Sequence, residues 1–355
     1  MPSINFLITL SLCIILIERK VISKELQCKD KVIIVGAGLS GLAAGQKLQK
    51  AGCDVVIIEG SERIGGRIKS EIISQDVAID LGASWIGGTG KDFDMGAKQK
   101  YYQHQKGELD IDQSDLNQYI KLLKNYLKSH LTLATDQTSL EDIFRNFTVK
   151  SSRVNLKSYK NFSQSFIYGF KNAADSDQLS AKYVLSKLLF IGKDHVVEGG
   201  FQKITDQLSK ELKIILRKQV VEIDYLNDLI TIKTTDGEVY QANKVIVTVP
   251  LGILKSKEIL FNPPLIQSKL ESIEKLGSGI MDKLFLEFDH VFWDQNSTWF
   301  NHISDKGLKW IITANLFKYT GKPILMMFNI GREAIAFSEQ SDERVLASAI
   351  WVKFP

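Results

Sequence analysis

Residues 32–67 read VIIVGAGLSGLAAGQKLQKAGCDVVIIEGSERIGGR. An apolar strand runs straight into the glycine-rich turn Gly36-Ala37-Gly38-Leu39-Ser40-Gly41, a helical stretch follows to about Lys50, and a second apolar strand ends on Glu59. Each part has a physical job in a dinucleotide-binding βαβ unit. Gly36 makes the tight turn, Gly38 lets the backbone approach a pyrophosphate, and Gly41 lets the helix pack close on its strand. The N–H groups at the helix start attract phosphate charge. Glu59 ends the second strand where a carboxylate bonds a ribose hydroxyl.

The fingerprint alone serves either NAD or FAD. The turn Arg63-Ile64-Gly65-Gly66-Arg67 favours FAD, because a second flexible turn followed by a guanidinium fork suits a second approach to the pyrophosphate. An NAD-dependent dehydrogenase remains the disfavoured alternative.

The wider composition is ordinary. The 355 residues are 44% hydrophobic and 24% charged, enough for one large or two medium domains. A formal charge of +4 with no dense Lys/Arg stripe does not point to nucleic acid. Cys13, Cys28 and Cys53 match no zinc or thioredoxin spacing, and a Cys28–Cys53 pair would need the fold to bring them together. The five histidines (His104, His130, His195, His290, His302) form no metal spacing, so no metal site is expected.

The apolar run over residues 4–17 is short for a transmembrane helix and suits the h-region of a secretory signal within residues 1–23. That reading implies a secreted protein or one in the endomembrane lumen. An uncleaved membrane anchor is the alternative, and the only reading under which the chain meets a membrane. The sequons at Asn146, Asn161 and Asn296 fit secretion.

Beyond residue 88 the chain turns Lys-, Gln- and Asp-rich. Leu116, Ile120, Leu123 and Leu127 recur at helical spacing, and a further helix is expected over 179–189. From Val196 the pattern predicts a helix over 201–210 and strands over 214–216, 220–225, 230–234 and 240–249, with a hairpin turn at Asp236-Gly237. A helix over 266–276 and a strand over 283–288 follow.

VGAGLSGL (35–42), IIEGSERIGGR (57–67) and DLGASWI (80–86) resemble the opening of the flavin-containing amine oxidases, which include polyamine oxidases, monoamine oxidases and lysine-specific histone demethylases. The resemblance resumes at VEGG (197–200), VIVTVPLGILK (245–255), NPP (262–264), LGSGIMDKLFLEF (276–288) and Phe292-Trp293. It implies an α/β fold, a doubly wound Rossmann-like FAD domain (29–88 and 188–279) interleaved with an α+β substrate domain (89–187 and 280–355).

The same resemblance implies site residues. Gly36, Gly38, Ser40 and Gly41 would hold the pyrophosphate, Glu59 with Ser61 the adenosine ribose, and Arg67 the cofactor phosphates. Ser84 and Trp85 would pass the flavin, and the backbone of Val220 would read the adenine. Lys283 would stand beside the flavin's reactive nitrogen through a water and act in catalysis. Strand alternation puts Lys283, Phe285 and Glu287 on one face. Trp85, Trp293 and Phe285 are candidate aromatic walls for the amine, with Trp293 better suited to packing.

The implied activity is oxidation of an amine, a polyamine or another primary or secondary amine, with O2 as the second substrate. The products would be an imine or aldehyde and hydrogen peroxide. Two departures qualify this. Gly87-Gly88 stand where polyamine oxidases often carry a histidine or glutamate, and the chain reaches Pro355 where the family continues into a flavin-binding tail. The reading from the second departure is a truncated chain, with an inactive FAD-fold binding module as the alternative function. An L-amino-acid oxidase would want an arginine for the substrate carboxylate soon after the GGR turn, which DLGASW does not supply.

Overall fold

The computed structural model describes residues 15–17, 30–73, 77–90, 99–103, 107–109, 111, 113–149, 156–184, 193–303 and 309–350. The chain divides into two compact units. The first joins Met1–Asp92 to Phe190–Ser278, and the second joins Phe93–Leu189 to Gly279–Pro355.

In the first unit, β1 (Lys31–Val35), α1 (Leu39–Lys50) and β2 (Asp54–Ile58) form a parallel βαβ unit in which Lys31 pairs with Asp54 and Val35 with Ile58. The hairpin strands β3 (Ser70–Ile72) and β4 (Ala78–Asp80) follow. After the excursion into the second unit come α2 (Gln202–Ser209), β5 (Lys213–Ile215), β6 (Val220–Asp224), β7 (Ile230–Thr234), β8 (Val239–Ala242) and β9 (Lys244–Val247).

The main sheet runs β9-β1-β2-β5, all parallel. A three-residue strand, Ile15–Ile17, pairs antiparallel with β9 at its edge. The rest of the predicted signal segment lies outside the described residues, as does Cys28. Cys53 is buried.

The VIIV and VVII runs are apolar on both faces because both faces are covered. Val32, Ile34, Val55 and Ile57 pack with Leu42 and Leu48 of α1 and Leu208 of α2. Ile33, Val35, Val56 and Ile58 pack with Ile223, Ile230 and Ile232 of the second sheet. Ile33, Ile34, Ile57 and Ile58 are fully buried. Each such side chain contributes roughly 1.5–3 kcal/mol over an exposed one.

That second sheet runs β8-β7-β6 antiparallel, with Leu260–Asn262 added parallel to β6. Here the structure corrects one expectation. The single strand expected over 240–249 is two strands in two sheets, β8 and β9. They are separated at Asn243, whose amide donates to the Lys31 carbonyl (2.9 Å) and whose Oδ1 accepts from the Lys31 amide (2.8 Å). A continuous β-branched pattern carries no mark of a sheet change, and the exposed asparagine supplies it.

The second unit is built on a six-stranded sheet in the order 281–287, 324–330, 312–315, 299–302, 99–103, 107–109. Met327 and Leu284 meet Phe337 and Val345 on one face, and Tyr101 meets Leu116 and Phe162 on the other. The amphipathic helix read around Leu116 spans Gln113–His130. Of the helix expected over 179–189, residues 181–184 form a turn, and 185–189 lie outside the described residues.

Candidate cofactor site

At the carboxyl end of the parallel strands, all within the first unit, lies a cavity of about 1220 Å³. Gly36, Gly38, Ser40, Glu59, Ser61, Arg67, Trp85 and Val220 line it. Gly41 and Ser84 stand behind the wall.

The three fingerprint glycines differ in what a side chain would meet. Gly36 has φ +108°, a left-handed turn that glycine takes without strain. A Cβ on Gly41 would sit 1.9 Å from the Gly36 carbonyl oxygen, so α1 can approach its strand only with no side chain there. A Cβ on Gly38 would meet nothing within 4 Å. Gly38 is therefore bare toward the cavity and not for want of room in the protein.

The N-terminus of α1 opens on the same space. Gly38 is its N-cap, no side chain caps it, and no acid stands in its first turn. A helix leaves its first N–H groups without intrahelical partners, and with the helix dipole they favour an anion. The N-terminus of α2 is treated in the opposite way. Buried Asp80 accepts from the Phe201 amide (2.8 Å) and from Ser70 Oγ, and Ser70 Oγ accepts from the Gln202 amide (3.0 Å). Two protein side chains satisfy that helix end, so α1 is the one offered to a phosphate.

The GGR turn lies against this loop. Gly65 bridges to Gly38, and its amide donates to the Ala37 carbonyl (2.9 Å). Arg63 holds the turn by donating to the carbonyls of Ile64, Gly66 and Ile68 at 2.7–3.1 Å. Arg67 is exposed, and its carbonyl accepts from the Ala83 amide (3.1 Å), which anchors the segment leading to Trp85. Ser84 is buried and donates to the Asp80 carbonyl (3.3 Å). Its place is in shaping that segment.

Glu59 is held from two sides. Oε2 accepts from the Ala37 amide (2.7 Å), and Oε1 accepts from the Ser61 amide (2.9 Å) and hydroxyl (2.8 Å). An ionised carboxylate has about four acceptor positions, so capacity remains for a hydroxyl in the cavity. Beyond Glu59 the wall passes Lys218, Gln219, Val220, Ile253 and Ile259. Lys218 donates to Asp236 and Glu238 of the β7–β8 turn. Those hydrogen bonds hold the Asp236 carboxyl at about 2, hold Glu238 below the usual carboxylate range, and push the Lys218 ammonium up.

Lys283 lies in the second unit, on the strand Met281–Glu287, half-buried and in register with Phe328. Phe285 shares its face. Trp293 is buried with Phe288 and Phe300 and donates its indole N–H to Asn315 Oδ1 (3.0 Å), a packing role. Among the described residues no cluster of His, Cys, Asp and Glu could hold a metal ion. No described helix is long and apolar enough to cross a membrane.

Sequence reasoning missed Asp80, Thr248, Phe201 and Lys218. Asp80 stood in a quoted motif, but its acceptor role depends on the β3–β4 hairpin meeting α2, which no spacing announces.

The family model for flavin containing amine oxidoreductases matches residues 39–352. The chain belongs to that family. Polyamine oxidase 2 of Arabidopsis thaliana is 28% identical over 348 residues, covering 90% of this chain and 71% of that protein. Lysine-specific histone demethylase 2 of Homo sapiens is 29% identical over 344 residues, covering 88% of this amine oxidoreductase and 42% of the demethylase. A triple mutant of putrescine oxidase, redesigned in its cofactor binding, superposes with a TM-score of 0.69 at 18% identity. The match covers 92% of this chain and 82% of that one, and it shows the shared fold. The cofactor of this family is a flavin. The cavity, with the uncapped start of α1 and the Glu59 carboxylate on its wall, fits FAD.

Proposed function

We propose that this flavin amine oxidoreductase is an oxidase of a polyamine or other primary or secondary amine, using O2 and releasing an imine or aldehyde and hydrogen peroxide. The observation that carries the cofactor part of the reading is the pairing of Gly38, bare toward the cavity at the open end of α1, with Glu59 on the same wall. Similarity to plant polyamine oxidases supports the substrate class.

When bound, FAD supplies the two-electron acceptor for the carbon next to an uncharged amine. The protein's own part is to bind and orient. The amides at the start of α1, with Ser40 and Arg67, would hold the pyrophosphate, and Glu59 and Ser61 the ribose. Ile58, Val220, Ile253 and Ile259 give the far end of the cavity apolar walls. Trp85 and Ile86 line it where DLGASWI passes. Lys283, on the strand Met281–Glu287 of the second unit, is the residue assigned to catalysis, where its ammonium would hold a water by donating to it.

The test is anaerobic mixing of the flavin-loaded chain with spermine, putrescine and a monoamine in turn. Bleaching of the visible flavin band, with peroxide formed when air is admitted, supports the oxidase reading. A loaded protein that none of these amines bleaches would leave a flavin protein without this activity.

A further inference from the structure

Thr248 follows β9, is buried, and lines the cavity beneath the fingerprint turn. Its amide donates to the Val35 carbonyl (2.9 Å), which continues the β9–β1 ladder by one bond. Its hydroxyl lies 3.0 Å from the Val35 carbonyl oxygen and 3.1 Å from that of Gly36, so one proton is shared between two acceptors. A Cβ on Gly36 would fall 2.8 Å from this hydroxyl, and one on Gly41 would fall 2.9 Å from it. The hydroxyl therefore occupies the space that both glycines leave vacant.

The peptide joining Gly36 to Ala37 is gripped at both ends. Its carbonyl accepts from Thr248, and its N–H donates to Glu59 Oε2 (2.7 Å). A peptide unit is planar, so fixing the carbonyl direction fixes the N–H direction. Rotation of that plane would withdraw the donor that orients the Glu59 carboxylate. It would also turn the loop leading into Gly38 and the start of α1.

We propose that Thr248 is a positioning residue for the cofactor. Acting through the Gly36–Ala37 peptide, it sets both the Glu59 carboxylate and the phosphate turn. The inference rests on the cofactor reading of the cavity. It adds a residue, touching neither phosphate nor ribose in its assigned role, whose hydroxyl controls affinity for both.

Thr248→Ser and Thr248→Ala test it, since both lose the methyl group and they differ only by the hydroxyl. The probe is ADP, which carries the pyrophosphate and ribose, titrated calorimetrically into the full chain after any bound flavin has been removed, alongside thermal melts of the same flavin-free proteins. A net hydrogen bond corresponds to a factor of roughly 2 to 13 in affinity. Thr248→Ser is expected within about threefold of the unsubstituted chain and Thr248→Ala about tenfold weaker. In a Glu59→Gln background, the Ser and Ala variants should differ by less than about twofold, because residues acting through one peptide are not additive. Equal ADP affinity for Ser and Ala, whatever their melting temperatures, would overturn the inference, as would full additivity with Glu59→Gln. Failure of the unsubstituted chain to bind ADP would instead overturn the cofactor reading on which it stands.

Discussion

Gly38 and Gly65 pair backbone to backbone as a parallel bridge, which sets the fingerprint loop and the GGR turn side by side on one cavity wall. Two segments separated by a helix and a strand thus become one surface. The bridge leaves no room between the loops, since a Cβ on Gly66 would touch Gly38 Cα at 3.3 Å, yet Gly38 itself faces open space.

That contrast separates binding from folding. Gly38→Val has room in the protein and a compatible extended backbone (φ −72°, ψ 176°), so FAD retention should be lost while its melting temperature stays close to that of the original stripped of flavin. Gly41→Ala meets the Gly36 carbonyl at 1.9 Å and should cost about 1–3 kcal/mol of stability as overpacking. Melting curves and flavin content of the two purified variants check both halves. Equal melting losses for the two would contradict the division of labour.

Glu59→Gln exchanges a charged acceptor for a neutral one beside the Ala37 and Ser61 donors. Hydrogen bonds to charged groups contribute about 1.5–3 kcal/mol, so FAD affinity should fall by roughly 10- to 100-fold. Fluorescence titration measures this, and an unchanged affinity would remove Glu59 from ribose binding.

For Lys283→Met the expected outcome is full flavin content with turnover or flavin reoxidation slowed at least ~tenfold, as for loss of a positioned charged group. Rapid-mixing absorbance separates amine-driven bleaching from recovery in air. Wild-type rates in both steps would take Lys283 out of the mechanism.

The Lys218 cluster gives a pH prediction. Asp236 has a folded value of about 2 against the ordinary 3.8, so its contribution to stability is present above about pH 4 and is lost as pH falls toward 2. Lys218→Met should remove that part of the acid dependence, and salt should weaken it in the original protein, because both carboxylates are exposed. Melting temperatures at pH 2–5 with and without salt decide. An identical slope in Lys218→Met would mean that the cluster does not couple to folding.

A lumenal location is our proposal from the apolar N-terminal run, and the sequons make it testable. Asn146 and Asn296 are exposed, whereas Asn161 is half-buried within a helix. Expression in a secretory host should yield glycans at Asn146 and Asn296, read by mass spectrometry after enzymatic deglycosylation. A chain retained in the host cytosol and bare at both would speak against that environment.

How much of this was legible in the residues follows from how local each feature is. The βαβ unit was readable because the apolar runs, the three glycines and Glu59 act within 28 residues of each other, from Val32 to Glu59. The roles of Gly36, Gly38 and Gly41 could be stated before any coordinates, since each is a steric property of one position. The change of sheet at Asn243 was not readable, nor was the capping of α2 by Asp80 and Ser70. Each depends on a segment more than a hundred residues away supplying the partner. Thr248 was hidden for the same reason. Its motif was quoted, but its hydroxyl acquires a purpose only when β9 lies beside β1.

The most direct test of the account is the visible absorption spectrum of the purified full-length chain, followed by heat release and chromatography of whatever is bound. The account predicts a flavin band and stoichiometric FAD, lost in Gly38→Val, whose melting temperature matches that of the original stripped of flavin. A folded, colourless protein that takes up neither FAD nor ADP would contradict it.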